Sequence, residues 1–372
     1  MKEIIKRHKK EYPLSTLQDW YKLFYQSAFG NAHLACEKDE CMQFLKEELD
    51  SLDSVDNLIG IKDIKLVEYS SSWVKEDIGN GFYRVNLNWI KEVGFSLDIL
   101  VKMMLLSKDL SKEAFDKEGY FDYSVFDQYV LALEELLEEE DFDFTLDDLI
   151  DYEIEYEDKG YPLLSHSYIY KLHYRPAYRV IHEKYAKHIE LIHEIKKKIN
   201  KVNRPSLIAI DGMAASGKTS FAKVLNELFY SNLFHMDDFF LPNIQKTQTR
   251  LSAPGGNVDY ERFRREVLDN IGIDLPFMYE VFNCMDQSYL PKKVEPKLVN
   301  IVEGAYSMHP YFQDPYDIKI FMKTDYEIQK ERILKRSNME LLERFEKEWI
   351  PLENFYIKSF SIEEKADYVI KT

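Results

Sequence analysis

The chain has 372 residues, enough for two domains. With 45% hydrophobic and 14% aromatic residues it is too rich in core material to be disordered. Its formal net charge of −17 disfavours a general nucleic-acid binder, because neutralising a phosphate backbone needs a basic surface. Three cysteines, Cys36, Cys41 and Cys284, form no CxxC pair, which argues against a zinc site or disulfide framework and leads to the expectation of reduced thiols in a cytoplasmic protein.

The N-terminus, MKEIIKRHKKEYP, is too charged for a secretory signal. No apolar run reaches the roughly 18 residues needed to cross a bilayer, so no membrane association is expected. Leu17, Trp20, Phe24 and Ala28 recur at helical spacing after a cap at Ser15. Cys41, Phe44, Leu45, Leu49 and Leu52 give a second helical stripe, Phe126, Tyr129, Val130, Leu133 and Leu137 a third, and Ile181, Tyr185, Ile189, Ile192 and Ile199 a fourth. Gly81 to Leu87 reads as a strand. Residues 1–200 are therefore expected to form a mainly α-helical domain. Between Glu134 and Asp158 there are fourteen acidic residues and no basic one; a solvated face accounts for them, while an acidic docking surface or metal site needs geometry that a charge run does not specify. Three polar clusters stand out in this half: Gly30 to His33, Arg84 with Asn86, and His166 through Tyr170 to Arg175 and Arg179. Capping and buried hydrogen bonds explain each, and a second ligand site among them stays open.

The basic, polar stretch Lys196 to Pro205 marks a boundary, and residues 204–372 are expected to form an α/β P-loop domain. Ser206 to Ile210 is a short apolar run of the kind found in buried parallel strands. Gly212-Met213-Ala214-Ala215-Ser216-Gly217-Lys218-Thr219, followed by Ser220, completes a G-x-x-x-x-G-K-[ST] phosphate-binding loop between that strand and an amphipathic helix. Glycines permit close approach of the backbone, and the loop N–H groups with the helix N-terminus face the phosphates. Lys218 brings positive charge to the β- and γ-phosphates of ATP or GTP, and the Thr219 hydroxyl is a ligand for Mg²⁺.

Three later segments narrow the reaction. Asp237 and Asp238 follow the next strand, at the sheet edge that faces the ligand crevice, where a carboxylate can take the proton of an attacking hydroxyl. Val299 to Val302 is a buried-strand pattern ending in Glu303, placed to order the waters of Mg²⁺. After a third strand, Ile318 to Met322, comes a helix carrying Arg332, Lys335, Arg336 and Arg344. Cations closing over the phosphates would stabilise transition-state charge.

GMAASGKTS, MDDFF, NVDYERF, the IVEG strand, ERILKR and EKADYVI, in this order across most of Ser206 to Lys371, resemble the uridine kinase family and the related nicotinamide riboside kinases. The resemblance implies transfer of the γ-phosphoryl group of ATP or GTP to the 5′-hydroxyl of a nucleoside. It implies that Asp237 is the general base, Asp259 a holder of ribose hydroxyls, Tyr279 an acceptor contact, Glu303 the acid of the strand motif, and Arg332 and Arg336 catalytic lid arginines. Two departures concern the base of the nucleoside: the family's base-reading histidine is replaced by Cys284, and the arginine two residues beyond by Asp286. Another hydroxylated acceptor, such as nicotinamide riboside, a sugar nucleotide or a pantothenate-like molecule, therefore stays open. So does a nucleotide-gated binding protein whose helical domain engages a partner, and homo-oligomerisation.

Overall fold

The computed structural model describes residues 1–34, 37–54, 73–111 and 122–372. They form two compact units, Met1–Ile189 and Glu190–Thr372. In chain order the first contains helices α1 (Lys2–Glu11), α2 (Leu17–Phe29) and α3 (Lys38–Ser54), strands β1 (Lys75–Gly79) and β2 (Phe82–Asn86), helices α4 (Leu87–Val93), α5 (Leu97–Leu110), α6 (Ser124–Glu139), α7 (Leu146–Asp158) and α8 (Tyr168–Tyr174), strand β3 (Tyr178–His182) and helix α9 (Glu183–Ala186). Helix α10 (Ile189–Lys201) opens the second unit. The first unit ends at Ile189, the first residue of α10, and the polar stretch from Lys196 begins within the last turns of that helix. The cause is visible in α10 itself: Ile192 and Ile195 are fully buried, and the Lys198 ammonium lies 3.4 Å from Asp367 and over the Tyr368 ring.

The first unit is mainly helical, and its core is built on Trp20, Tyr21, Phe24 and Phe29 of α2 packed against Phe126, Tyr129 and Leu133 of α6. Helix α2 begins one residue later than the expected Ser15 cap. Thr16 and Asp19 form a reciprocal capping box, and Ser15 instead donates to the Tyr12 carbonyl. The expected fourth stripe is corrected at its start. Ile181 belongs to β3, which pairs antiparallel with β2 and completes a three-stranded sheet, order β1-β2-β3. A five-residue segment offers too few residues for periodicity to separate strand from helix, and cross-strand pairing decides it. Cys41 is disulfide-bonded, which corrects the expectation of reduced thiols at that position; Cys284 is a free thiol, and Cys36 lies outside the described residues.

Part of the acidic run is neutralised locally. Lys2, Lys6 and Lys9 of α1 pair with Glu135, Glu139 and Glu140 at the end of α6. Among the described residues no group of three or more His, Cys, Asp or Glu is arranged to hold a metal ion, and no helix is long and apolar enough to cross a membrane.

Several of the polar residues of this unit join a buried network. The Arg84 guanidinium, with no solvent exposure, donates to Gln26 Oε1 at 3.0 and 2.8 Å, lies 3.5 Å from Glu76 and stacks over the Tyr178 ring. Burial would raise the Glu76 carboxyl, yet Arg84 and then His8 hold it down at about 2. His166 bridges Asp19 at 2.9 Å and the Tyr178 hydroxyl, and burial keeps its imidazole neutral, down at about 3. Asn31 donates to the Val180 carbonyl at 2.6 Å, Asn86 caps α4 and Arg179 pairs with Glu48. Removing one partner of a buried pair leaves an uncompensated charge. Arg84→Met is expected to destabilise this unit by about 3–5 kcal/mol in urea unfolding, and the double variant Arg84→Met/Glu76→Gln to recover part of the loss.

The second unit is a five-stranded parallel sheet, order β10-β9-β4-β8-β5, flanked by helices. Its elements follow α10 as β4 (Ser206–Gly212), α11 (Lys218–Phe229), β5 (Asn232–His235), the short helices α12 (Gln248–Leu251) and α13 (Tyr260–Phe263), the antiparallel hairpin β6 (Phe277–Asn283) and β7 (Ser288–Val294), then β8 (Val299–Glu303), β9 (Ile318–Lys323), α14 (Tyr326–Arg336), α15 (Met339–Arg344), α16 (Ile350–Phe360) and β10 (Tyr368–Lys371). Every residue of β4 and β8 is buried, as covered parallel strands require. Register sets Glu303 level with both Ile210 and His235, so three strands deliver their C-terminal ends to one edge.

Candidate active site

The phosphate-binding loop leaves the buried strand β4 and enters α11. Gly212 has φ +141°, and a Cβ there would fall 2.0 Å from the Met322 carbonyl oxygen of β9, so only glycine fits. Gly217, at φ +91°, caps α11 and turns the free N–H groups of its first turn toward the loop. Lys218 Nζ donates to the Gly212 and Met213 carbonyls at 2.9 and 2.8 Å, so the ammonium lies along the loop it serves. Thr219 and Ser220 follow on the exposed first turn.

Glu303, only 4% exposed, accepts the Thr219 hydroxyl at 3.2 Å and bonds the His235 ring. The Glu303 bond favours the imidazolium and raises the His235 pKa. A hydroxyl and a carboxylate brought together in this way are hard oxygen donors suited to Mg²⁺, which is usually held by one or two protein groups together with phosphates and water.

Of the two adjacent acids after β5, Asp238 is committed to the fold. Its carboxylate accepts the Tyr279 hydroxyl at 3.0 Å, and its carbonyl accepts from Arg262. Asp237 remains accessible to solvent, and no protein donor bonds its carboxylate among the described residues. Crowding by surrounding protein, with the Glu303 charge behind it, raises the Asp237 carboxyl above the usual range, and Lys218 opposes the shift. A carboxylate that is ionisable, unbonded and beside a phosphate-binding lysine has the features of a base for an incoming hydroxyl.

Four residues that sequence reasoning did not single out fix the loop. Asp211, fully buried, accepts the N–H groups of Gly212 and Met308 and the Tyr356 hydroxyl of α16. Burial raises its carboxyl and these donors oppose the rise. Gln329 donates to the Ala214 carbonyl, and Glu353 of α16 accepts the Ala214 N–H at 2.7 Å. An acid at the end of an otherwise apolar strand was a readable signal for Asp211. The other contacts join residues far apart in sequence and left none.

The two arginines expected to act catalytically both have partners within the chain. Arg332 donates to the Ala215 carbonyl and to Thr372 Oγ1, bracing the loop through its carbonyl side. Arg336 stands over the Phe345 ring. On the acceptor side, Tyr279 is 1% exposed and its hydroxyl is spent on Asp238, while Asp259 uses one carboxylate oxygen to cap α13 at Arg262. Asp259 lines a cleft of about 610 Å³ with Arg250, Arg262, Glu280 and Tyr289; Asp237 is not among its lining residues. Cys284 is exposed in the β6–β7 turn, and Asp286 folds back on the Ser288 N–H and hydroxyl.

No family model matches the chain. It is 29% identical over 157 residues to a uridine kinase of Ligilactobacillus salivarius, a match covering 39% of this chain and 71% of that protein. A uridine kinase of Bacillus cereus matches at 29% over 154 residues, 38% of this chain and 70% of that protein. This part of the chain is a uridine kinase-like P-loop kinase domain. A solved structure of a possible uridine kinase from Bacillus stearothermophilus matches 48% of this chain and 99% of its own, with 15% identity and a TM-score of 0.36. In this kinase domain the phosphate loop, Asp237 and Glu303 stand together at one sheet edge, whereas Asp259 faces the cleft beside α13.

Proposed function

We propose that the kinase domain transfers the γ-phosphoryl group of ATP or GTP to a hydroxyl of a nucleoside-like acceptor, with Mg²⁺. The observation that carries this reading is Asp237, an unbonded carboxylate within electrostatic reach of Lys218 and Glu303. Loop N–H groups and the start of α11 hold the phosphates. Lys218 exchanges the Gly212 and Met213 carbonyls for phosphate oxygens. Asp237 takes the acceptor's proton as the acceptor oxygen bonds to phosphorus, and the bond from phosphorus to the leaving diphosphate breaks. Thr219 and Glu303 are the residues that would hold Mg²⁺, which when bound would offset the charge developing on the transferred group.

A kinase for another hydroxylated metabolite is the second reading. The Tyr279 hydroxyl and the Asp286 carboxylate are both spent within the chain, which leaves little to read a pyrimidine. The test is labelled ATP and GTP offered with a panel of nucleosides, nicotinamide riboside, sugar nucleotides and pantothenate-like alcohols. Label is expected in a nucleoside-like alcohol. Tight triphosphate binding with no labelled acceptor would overturn the kinase reading and leave the nucleotide-gated binding protein.

A further inference from the structure

Helices α14, α15 and α16 pack directly on the phosphate loop. Ile333, Leu342 and Ile350 enclose the Ala214 methyl in one small apolar cluster. Ile350, Glu353 and Tyr356 recur every three residues along α16 and so share a face. Each of them meets the loop or its strand: Ile350 at Ala214, Glu353 at the Ala214 N–H, Tyr356 at Asp211. The helix is therefore pinned at both ends of this face, and the carboxylate between the two pins is driven into the loop. An acid bonded to a backbone N–H of a phosphate loop presents the same donor–acceptor chemistry as a phosphate oxygen.

We propose that the Glu353 carboxyl group is a built-in occupant of the phosphate loop, which a triphosphate must displace in order to bind. This rests on the reading of the loop as a triphosphate site. Displacement lowers apparent affinity by the fraction of molecules whose loop is open. Exchanging one hydrogen bond is worth about tenfold in affinity.

The occupant also gives binding a definite proton linkage. Facing Glu353 are Lys218 of the loop, Asp211 of β4, Asp237 after β5 and Tyr306 after β8. Burial pushes its carboxyl up to about 7, against the opposing pull of Lys218 and the Ala214 N–H. Once expelled to water it returns to the ordinary carboxylate range, so near pH ~6 binding releases a proton. Wild-type affinity then rises between about pH 6 and pH 8 as the group ionises and leaves more readily.

The experiment is isothermal titration of the full chain with Mg·ATP, and separately with inorganic tripolyphosphate, in buffers of differing ionisation enthalpy. Glu353→Ala empties the loop and is expected to bind about tenfold tighter than wild type near pH ~6, without the proton release. Glu353→Gln keeps the loop filled by a group that cannot ionise, and is expected to bind as weakly as wild type near pH ~6 and to stay so at pH ~8. The opposite order, tight binding by Glu353→Gln and weak binding by Glu353→Ala, overturns the proposal, as does proton uptake by wild type, because a carboxyl that remains to donate to the phosphate would behave so. Proton release by wild type can be read even if a variant fails to fold. If wild type and both variants bind equally, only the displaced occupant is refuted. If none binds either probe, the triphosphate site itself is refuted.

Discussion

Lys218→Ala is expected to lower kcat/KM for phosphoryl transfer by about a thousandfold, roughly 4 kcal/mol of transition-state stabilisation. The size follows from what else could take the lysine's place. Arg332 is engaged at the Ala215 carbonyl and Arg336 at Phe345, so neither guanidinium is held toward the loop mouth. The nest keeps its N–H groups, and part of the phosphate binding should survive. The mobile charge that follows the γ-phosphoryl group would be gone. Lys218→Arg should not restore the rate, because the planar fork is broader than an ammonium and cannot sit between the Gly212 and Met213 carbonyls in the same way. Steady-state rates with ATP titration check this, and a Lys218→Ala rate within tenfold of wild type would exclude the lysine from the transfer step.

Much of the kinase domain was legible because its signals are local. A buried strand needs apolar residues, the loop needs glycine where Met322 crowds Gly212, and helix α11 begins where the glycines stop. Asp237 and Glu303 were legible because strand ends place side chains at a parallel sheet's edge. The contacts that hold the loop were not. Asp211 with Tyr356 and Ala214 with Glu353 are set by how α14 to α16 fold back, and no window of sequence contains both partners. The same limit explains Arg332: spacing showed a cationic helix, but only packing shows its guanidinium on a carbonyl. In the first unit, the stripe at Phe126 to Leu137 read directly, since one buried face repeats over several turns, and the stripe at Leu17 to Ala28 marked a helix that is buried on nearly every side from Asp19 to Phe29. The five-residue strands β1 and β3 repeat nothing, and their pairing with β2 had to be seen.

Asp237→Asn is expected to reduce transfer by about 10²–10⁴-fold while leaving Mg·ATP affinity close to that of wild type. The amide matches the carboxylate in shape, and Asp237 bonds no protein donor among the described residues, so the substitution disturbs no structural contact. What it removes is the proton acceptor. Asp238 cannot take over, because its carboxylate already accepts the Tyr279 hydroxyl. The pH profile separates a base from a merely placed acid. The ionised form is the active one, so kcat/KM of wild type should climb as pH rises through the Asp237 pKa. Crowding and Glu303 set that pKa above the ordinary carboxylate range. In Asp237→Asn that limb should vanish. The Glu303 bond also raises the pKa of His235, so the imidazole has to be separated from Asp237 as the source of the limb. A limb that survives in Asp237→Asn and disappears in His235→Asn would move the titration to the imidazole. Undiminished transfer by Asp237→Asn would remove the base from the mechanism altogether, leaving Lys218 and the loop to act on an acceptor that loses its proton to water.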